Sequence, residues 1–500
     1  MTETGFRDIL LQMKTESWDS MEYITKGLAP AKVLEIFEQI CSIPHGSGNL
    51  DAITDFCEKF ARDRHLEVIR DEAHNLIIKK PATAGYENAE PVIIQGHTDM
   101  VCEQAADCKK DMSAEGLDLC LDGDMLYAKG TTLGGDDGVA VAMGLALLDA
   151  SDISHPALEV LLTSDEEIGM LGAEKLDCSP IKGRRMLNLD SEDEGVFTAG
   201  CAGGNRTECV IPVAREKFDG TALKVIVNGL RGGHSGEMIN RGRANSSVLL
   251  GRALVQVENA CDMRVIRVDG GLKDNAIPVE SVGIIIVSDE QKARAALEKF
   301  GEDLKNEYRT PDPNVRLGVE AAETSEIPMT EADSEKILTL LTCMPNGLIE
   351  LSMDVAGLAQ TSLNLGILTT SSDRVTASFC VRSSVSSQKE MLKQRLIRMT
   401  SLLGGTISCS GEYPAWEFRP DSPILSLCAE VYEKKFGKKP TVTAIHGGLE
   451  CGLFSEKMKG LDCVSFGPDI FDIHTPRERL SISSLNRTWE FLLDILREMK

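Results

Sequence analysis

The chain has 500 residues, a formal net charge of −25, 42% apolar residues and 26% charged residues. That length exceeds what one hydrophobic core usually supports, so two or more domains are expected, and the composition is that of an ordinary globular protein. The acidity excludes nucleic acid and anionic membranes as partners, because a phosphate-binding surface needs clustered Lys and Arg.

No run approaches the roughly 18 apolar residues of a membrane span. Met1 to Lys14 interleaves Glu3, Arg7, Asp8 and Lys14 with short apolar clusters, unlike the basic start and apolar run of a signal peptide. The expected location is cytoplasmic. The fifteen cysteines are scattered without a Cys-x-x-Cys pair and read as reduced, buried small residues.

In chain order, Val33, Leu34, Ile36, Phe37 and Ile40 recur at helical spacing, and a second amphipathic helix carries Ile53, Phe56 and Phe60. Short strands follow at Glu67-Val68-Ile69 and Leu76-Ile77-Ile78, then an apolar strand from Val92 that runs into His97-Thr98-Asp99. In an extended chain, residues two apart share a face. His97 and Asp99 therefore read either as a metal ligand with its orienting carboxylate or as a hydrogen-bonded structural pair.

A polar connection from Cys108 to Asp124 leads to Gly134-Gly135-Asp136-Asp137-Gly138 and an apolar helix from Val139 to Leu148. Two aspartates at this glycine-rich turn would repel phosphate; they suit a cation or a helix cap. The strand Leu158 to Thr163 ends in Asp165-Glu166-Glu167, and a strand Met186 to Asp190 again ends on an acid. Ligands in open α/β sheets bind outside the carboxyl ends of strands, so these acids can converge.

Beyond Gly203 the pattern changes. A strand at Leu223 to Val227, the loop Gly229 to Gly236 with His234, a helix from Asn245 to Glu258 and strands near Val265 and at Gly283 to Val287 form a βαββ unit. Ile337 to Val381 repeats a similar coarse order, which points to one inserted α+β domain with two related halves. The C-terminal part has a helix at Pro423 to Lys435, a strand at Thr441 to Ile445, the loop His446 to Gly452, His474-Thr475-Pro476 and a final helix from Ser484 to Met499.

The strand-end groups His97, Asp136, Glu167, Asp190 and His474 form a mixed N/O set suited to Zn²⁺, Mn²⁺ or Co²⁺. One shared carboxylate, two histidines and two further acids distribute evenly over a pair of ions. Glu166 is then left free to accept a proton from a water and pass it to a leaving amine.

His97-x-Asp99, Gly134-Gly135-Asp136-Asp137-Gly138, Asp165-Glu166-Glu167, Asn188-Leu189-Asp190 and His474 together resemble the M20 family of dinuclear metallopeptidases. The strings Leu230 to Gly236, Asp274 to Pro278, His446 to Gly452 and Cys201 to Gly204 resemble its aminoacyl-histidine dipeptidase branch. The match runs from about Ala29 to the C-terminus.

The resemblance implies an α/β fold: a phosphorylase/hydrolase-like catalytic domain with a mixed central sheet, from residues 1–206 and 410–500, plus an inserted α+β lid domain, 207–409, that forms a homodimer. It implies two divalent metal ions, zinc foremost, with His97 and Asp190 on one, Glu167 and His474 on the other and Asp136 bridging. Asp99 would orient His97, and Glu166 would be the general base. His234 would stabilise the oxyanion, while Asn275 and Arg382 would contact substrate; for Arg382 an exposed charge at a strand end is the alternative.

The implied reaction is hydrolysis of dipeptides, Xaa-His included. The alternatives are N-acyl amino acid deacylation or a catalytically idle binding protein. Asp137 stands where some relatives carry Asn, and His474 is followed by Thr475-Pro476 rather than Ser-Pro. No ligand is lost by either departure.

Overall fold

The structure, a computed structural model, describes residues 22–500, so the reading of Met1 to Lys14 lies outside the described residues. The chain divides into two compact units. One contains the described residues through Ala199 with Arg419–Thr443 and Leu449–Lys500; the other contains Gly200–Phe418 and Ala444–Gly448.

The first unit carries a mixed eight-stranded sheet in the order Glu67–Arg70, Leu76–Lys80, Leu158–Thr163, Val92–His97, Arg185–Asn188, Asp462–Ser465, Val196–Cys201, Thr441–Ile445. Val92–His97 lies near its centre, parallel to Leu158–Thr163 on one side and Arg185–Asn188 on the other. Asp462–Ser465 continues the parallel block, while the Leu76–Lys80 edge is antiparallel. Every residue of Val92–His97 and Leu158–Thr163 is buried, as expected of strands covered on both faces. Because these strands share a direction, the segments that follow His97, Thr163 and Asn188 emerge at the same sheet edge.

Helix Gly135–Asp149 is apolar around nearly its whole circumference and buried through Leu148, which marks it as a core helix. Ala31–Cys41 buries Val33, Leu34, Ile36, Phe37 and Ile40 on one face. The final helix, Ile482–Glu498, starts at Ser481, whose hydroxyl accepts the Ser484 N–H at 3.2 Å. No disulfide joins the fifteen cysteines.

The second unit is built on an antiparallel sheet, in the order Arg316–Ala321, Thr221–Asn228, Ser281–Val287, Met263–Gly270, Ala359–Thr370, Arg374–Ser383, Gly203–Pro212, Thr406–Tyr413, with Gly347–Leu351 also paired to Ala359–Thr370. Alternating burial along Thr221–Asn228 and Ser281–Val287 shows a sheet with one apolar face. That face shares a core with helices Ser246–Glu258, Glu290–Glu307, Glu331–Cys343 and Ser386–Leu402. The stretches expected to form two related halves thus build one continuous sheet.

Three sequence expectations shift. The unit boundaries fall at 199/200 and 418/419 rather than 206/207 and 409/410. The physical reason is that Gly203–Pro212 is one unbroken strand held between Arg374–Ser383 and Thr406–Tyr413, so a cut inside it would sever two ladders. The strand expected at Met186 to Asp190 closes at Asn188, leaving Asp190 two residues beyond. The connection Cys108 to Asp124 also contains a strand, Leu119–Asp122, part of a small sheet with Met125–Ala128, Arg479–Ser481 and Ile470–Phe471.

Candidate metal centre

His97 is the last residue of the central strand, and its backbone N–H donates to Asp137 Oδ2 at 3.1 Å. The residue before it must be glycine: a Cβ at Gly96 would lie 2.5 Å from Ala140 Cβ and 2.6 Å from Asp137 Oδ2. His97 Nδ1 is 3.0 Å from the backbone carbonyl of Asp99 and 3.5 Å from its carboxylate. The carbonyl therefore takes the Nδ1–H, and Nε2 is left as a lone-pair donor. That nitrogen faces Asp136 Oδ1 at 3.2 Å and Asp190 Oδ1 at 3.7 Å.

Asp136 presents its second oxygen elsewhere: Oδ2 lies 3.2 Å from Nε2 of His474, which is also 2.8 Å from Glu167 Oε1. His474 sits in the connection between strands Ile470–Phe471 and Arg479–Ser481 of the small sheet, with φ of +58°. Donor atoms of His97, Asp136 and Glu167 all lie within 4.8 Å of one another, as do those of His97, Asp137 and Asp190 and those of Asp136, Asp190 and Glu192. Two ligands each ~2.1 Å from a tetrahedral ion are roughly 3.4 Å apart, so these spacings suit bound ions.

Asp99 does more than face His97. Its Oδ1 accepts the Glu166 N–H at 3.0 Å, and its Oδ2 accepts the Glu167 N–H at 3.3 Å and the Ser47 hydroxyl at 2.8 Å. It thereby ties the acid-bearing loop to the end of the strand that carries His97. Below the loop, the fully buried Glu450 accepts from Gln95 Nε2 at 2.7 Å and Thr163 Oγ1 at 2.6 Å.

The electrostatics fit a cation site. Burial alone would depress His97, but the Asp136 and Asp99 carboxylates outweigh it and hold its pKa well above the usual histidine value. Hydrogen bonds to the Asp136 and Glu167 carboxylates push His474 up to about 10. Burial opposes the charge on Asp136 as well, yet the two histidines hold its pKa below the usual carboxylate range. Asp190 is forced well upward by burial and then by Asp137, and Glu192 rises to about 7 through burial and then Asp136. Glu166 rises to about 8, through burial first and then Glu450, Glu167 and Asp136.

Seven carboxylates, those of Asp99, Asp136, Asp137, Glu166, Glu167, Asp190 and Glu192, thus crowd around two imidazoles. Buried anions at this density each cost several kcal/mol without compensating cations. The mixed donor set matches divalent transition ions, as the chemistry of the residues suggests.

The remaining expected site residues lie in the second unit. His234 ends the short strand Gly233–His234, which pairs with Ala276–Ile277, and the Ser235 N–H donates to the Asn275 carbonyl at 2.8 Å; this brings His234 and Asn275 together. Arg382 lies opposite Ser362 in the main sheet. It is only 8% exposed, so the reading of a surface charge falls. Its Nη1 donates to Tyr413 Oη at 2.9 Å, and its Nε is buried with no protein partner.

His446, which the sequence offered only within a glycine-rich string, hydrogen-bonds Ser362 Oγ through Nε2 at 2.7 Å while its Nδ1 is buried without a partner. Burial, with the charges of Arg382 and His234 adding, pushes His446 down to about 3, so it is neutral at physiological pH. Sequence reasoning also passed over Glu192, Glu450 and Glu478. The first lies two residues after Asp190 and the last four after His474, and that closeness to expected site residues is the signal the sequence holds.

The chain is similar to several known proteins. Residues 93–498 match the family model described as peptidase family M20/M25/M40. The cytosol non-specific dipeptidase of Escherichia coli (strain K12) is 35% identical over 476 residues, covering 94% of this chain and 98% of that protein. The crystal structure of aminoacylhistidine dipeptidase from Vibrio alginolyticus superposes with a TM-score of 0.91 at 36% identity, covering 96% of this chain and 98% of that one. Aminopeptidase PepT from Bacillus cereus shares the fold at 15% identity, with a TM-score of 0.55 and coverage of 94% and 99%. With a family model spanning most of its length, the chain belongs to peptidase family M20/M25/M40.

Proposed function

We propose that this peptidase is a cytosolic dipeptidase that uses two divalent metal ions, zinc foremost, and acts on a range of dipeptides including Xaa-His. The observation that carries the two-ion reading is the posture of Asp136, one oxygen toward His97 and the other toward His474. His97 and Asp190 would hold one ion, His474 and Glu167 the other, with Asp136 shared. Divalent ions held by such a set lower the pKa of a bound water toward neutrality and polarise a carbonyl oxygen.

Glu166 would accept the proton of the attacking water in its ionised form, which bound cations favour against the burial and neighbouring carboxylates that raise its pKa, and would return it to the leaving amine nitrogen. What supports this role is that its backbone is fixed by Asp99 and its carboxylate lies near enough to feel the charges of His97, Glu167 and Asp136. His234 donates to the oxygen that becomes negative as the carbonyl is attacked. Arg382, buried with an unpartnered Nε, offers its guanidinium to the substrate's terminal carboxylate, and Asn275 adds a polar contact. The inserted domain is proposed to dimerise.

The names of the relatives support dipeptides as the substrate class and the cytosol as the location, while differing in breadth of specificity. The test is a panel of Xaa-His dipeptides, other dipeptides, tripeptides and N-acetyl amino acids, assayed with Zn²⁺, Mn²⁺ and Co²⁺. Turnover confined to dipeptides is expected. Preference for N-acetyl amino acids would reassign the chain as a deacylase, and metal binding without turnover of any member would reassign it as a binding protein.

A further inference from the structure

Four consecutive backbone amides point at one buried carboxylate. The N–H groups of Leu133 and Gly134 donate to Glu478 Oε2 at 2.7 and 3.0 Å, and those of Gly135 and Asp136 donate to Oε1 at 2.8 and 3.4 Å. Glu478 is 2% exposed. The curl that turns the four amides the same way depends on Gly134, whose φ of +68° lies in the left-handed region; a Cβ there would also meet Met100 Sδ at 2.8 Å.

Leu133 and Gly134 lead into helix Gly135–Asp149 and Gly135 and Asp136 begin it, where backbone donors have no partners within the helix. A carboxylate that satisfies all four makes charge-assisted hydrogen bonds, roughly twice as strong as neutral ones. Glu478 is also joined by a short link to His474: its own N–H donates to the Thr475 carbonyl at 3.0 Å, and strand Arg479–Ser481 begins at the next residue. Asp136 is therefore held twice by one five-residue segment, at its carboxylate by His474 and at its backbone by Glu478.

We propose that Glu478 is a positioning residue for the metal centre: by clamping the Leu133-Gly134-Gly135-Asp136 turn, it sets the orientation in which Asp136 can serve both histidine sides at once. This rests on the reading of Asp136 as the shared ligand. Simple capping of the helix would stabilise the fold without touching metal binding, and the two roles separate experimentally.

The experiment titrates Co²⁺ into chelator-treated full-length protein by calorimetry and visible absorption, with thermal unfolding measured on the same samples. The proteins are wild type, Glu478→Gln, Glu478→Asp and Leu496→Ala, the last removing a fully buried side chain from the final helix. Glu478→Gln keeps shape but turns one acceptor into a donor facing amide N–H groups; Glu478→Asp keeps charge but shortens the reach. Both are expected to bind the second Co²⁺ at least tenfold more weakly and to alter the absorption bands, whereas Leu496→Ala loses thermal stability with wild-type Co²⁺ binding. If either folded Glu478 variant binds two Co²⁺ with wild-type affinity and spectrum, the clamp is only a cap and the proposal falls. If wild type itself does not take two Co²⁺, the shared-ligand reading falls and takes the proposal with it.

Discussion

Replacing Glu166 by Gln isolates proton transfer from metal binding. The substitution preserves side-chain volume, and the backbone hold survives because it runs through the residue's N–H to Asp99 Oδ1 at 3.0 Å. In the proposed centre Glu166 holds neither ion, so metal content should not change. What disappears is a proton acceptor. A positioned acid/base contributes ~10²–10⁴-fold, which is about 2.7–5.4 kcal/mol of barrier at ~1.36 kcal/mol per decade. The expected result is a kcat reduced by that factor with KM little changed, read from release of free amino acid from a saturating dipeptide, with metal quantified in the same preparation. A kcat within tenfold of wild type would refute the assignment, and loss of bound metal in step with activity would make Glu166 a ligand instead.

Other substitutions probe the surrounding residues. Asp99→Asn keeps the backbone carbonyl that meets His97 Nδ1 but weakens the hold on the Glu166 and Glu167 amides, so metal affinity should fall ~10–100-fold in chelator competition. Arg382→Lys replaces a fork by a point charge and should raise KM by roughly 10–100-fold, equivalent to the ~1.5–3 kcal/mol of a hydrogen bond to a charged group, with kcat nearly preserved. Arg487 pairs through two hydrogen bonds, 2.7 and 2.5 Å, with Glu194; burial opposes that carboxylate, but the pair holds its pKa below the usual range. Because the folded-state pKa is depressed, this stability is complete above the ordinary glutamate value and is lost as pH falls through the folded one. Arg487→Met should therefore cost up to about 1 kcal/mol in urea unfolding at neutral pH, the Arg side chain being partly exposed, and nothing in strong acid.

Much of the centre is legible in the sequence because parallel strands convert sequence order into position. Once Val92, Leu158 and Met186 are read as starting or continuing buried strands, His97, Glu167 and Asp190 fall at one sheet edge without further information. His474 is different. No strand pattern announces it, since Ile470–Phe471 and Arg479–Ser481 are two and three residues long and owe their existence to pairing with each other and, for Arg479–Ser481, with Met125–Ala128. The role of Asp99 was also only half visible: spacing suggested a carboxylate behind His97, whereas the nearer partner is the backbone carbonyl, and the carboxylate serves the next loop.

Glu478 and His446 escaped for a related reason. Their significance lies in long-range partners, backbone amides 342 to 345 positions away and Ser362 across 84, that no local period encodes. The domain boundaries slipped by several residues because Gly203–Pro212 looks like a change of composition but behaves as one strand.

The most direct test of the two-metal centre is the stoichiometry of Zn²⁺ binding to chelator-treated wild type and to Asp136→Asn, followed by native mass spectrometry and paired with dipeptide hydrolysis on the same samples. Wild type should take two ions, with activity appearing as the sites fill, and Asp136→Asn should hold at most one tightly and be inactive. Two tightly held ions and full turnover in Asp136→Asn would contradict the shared-carboxylate centre.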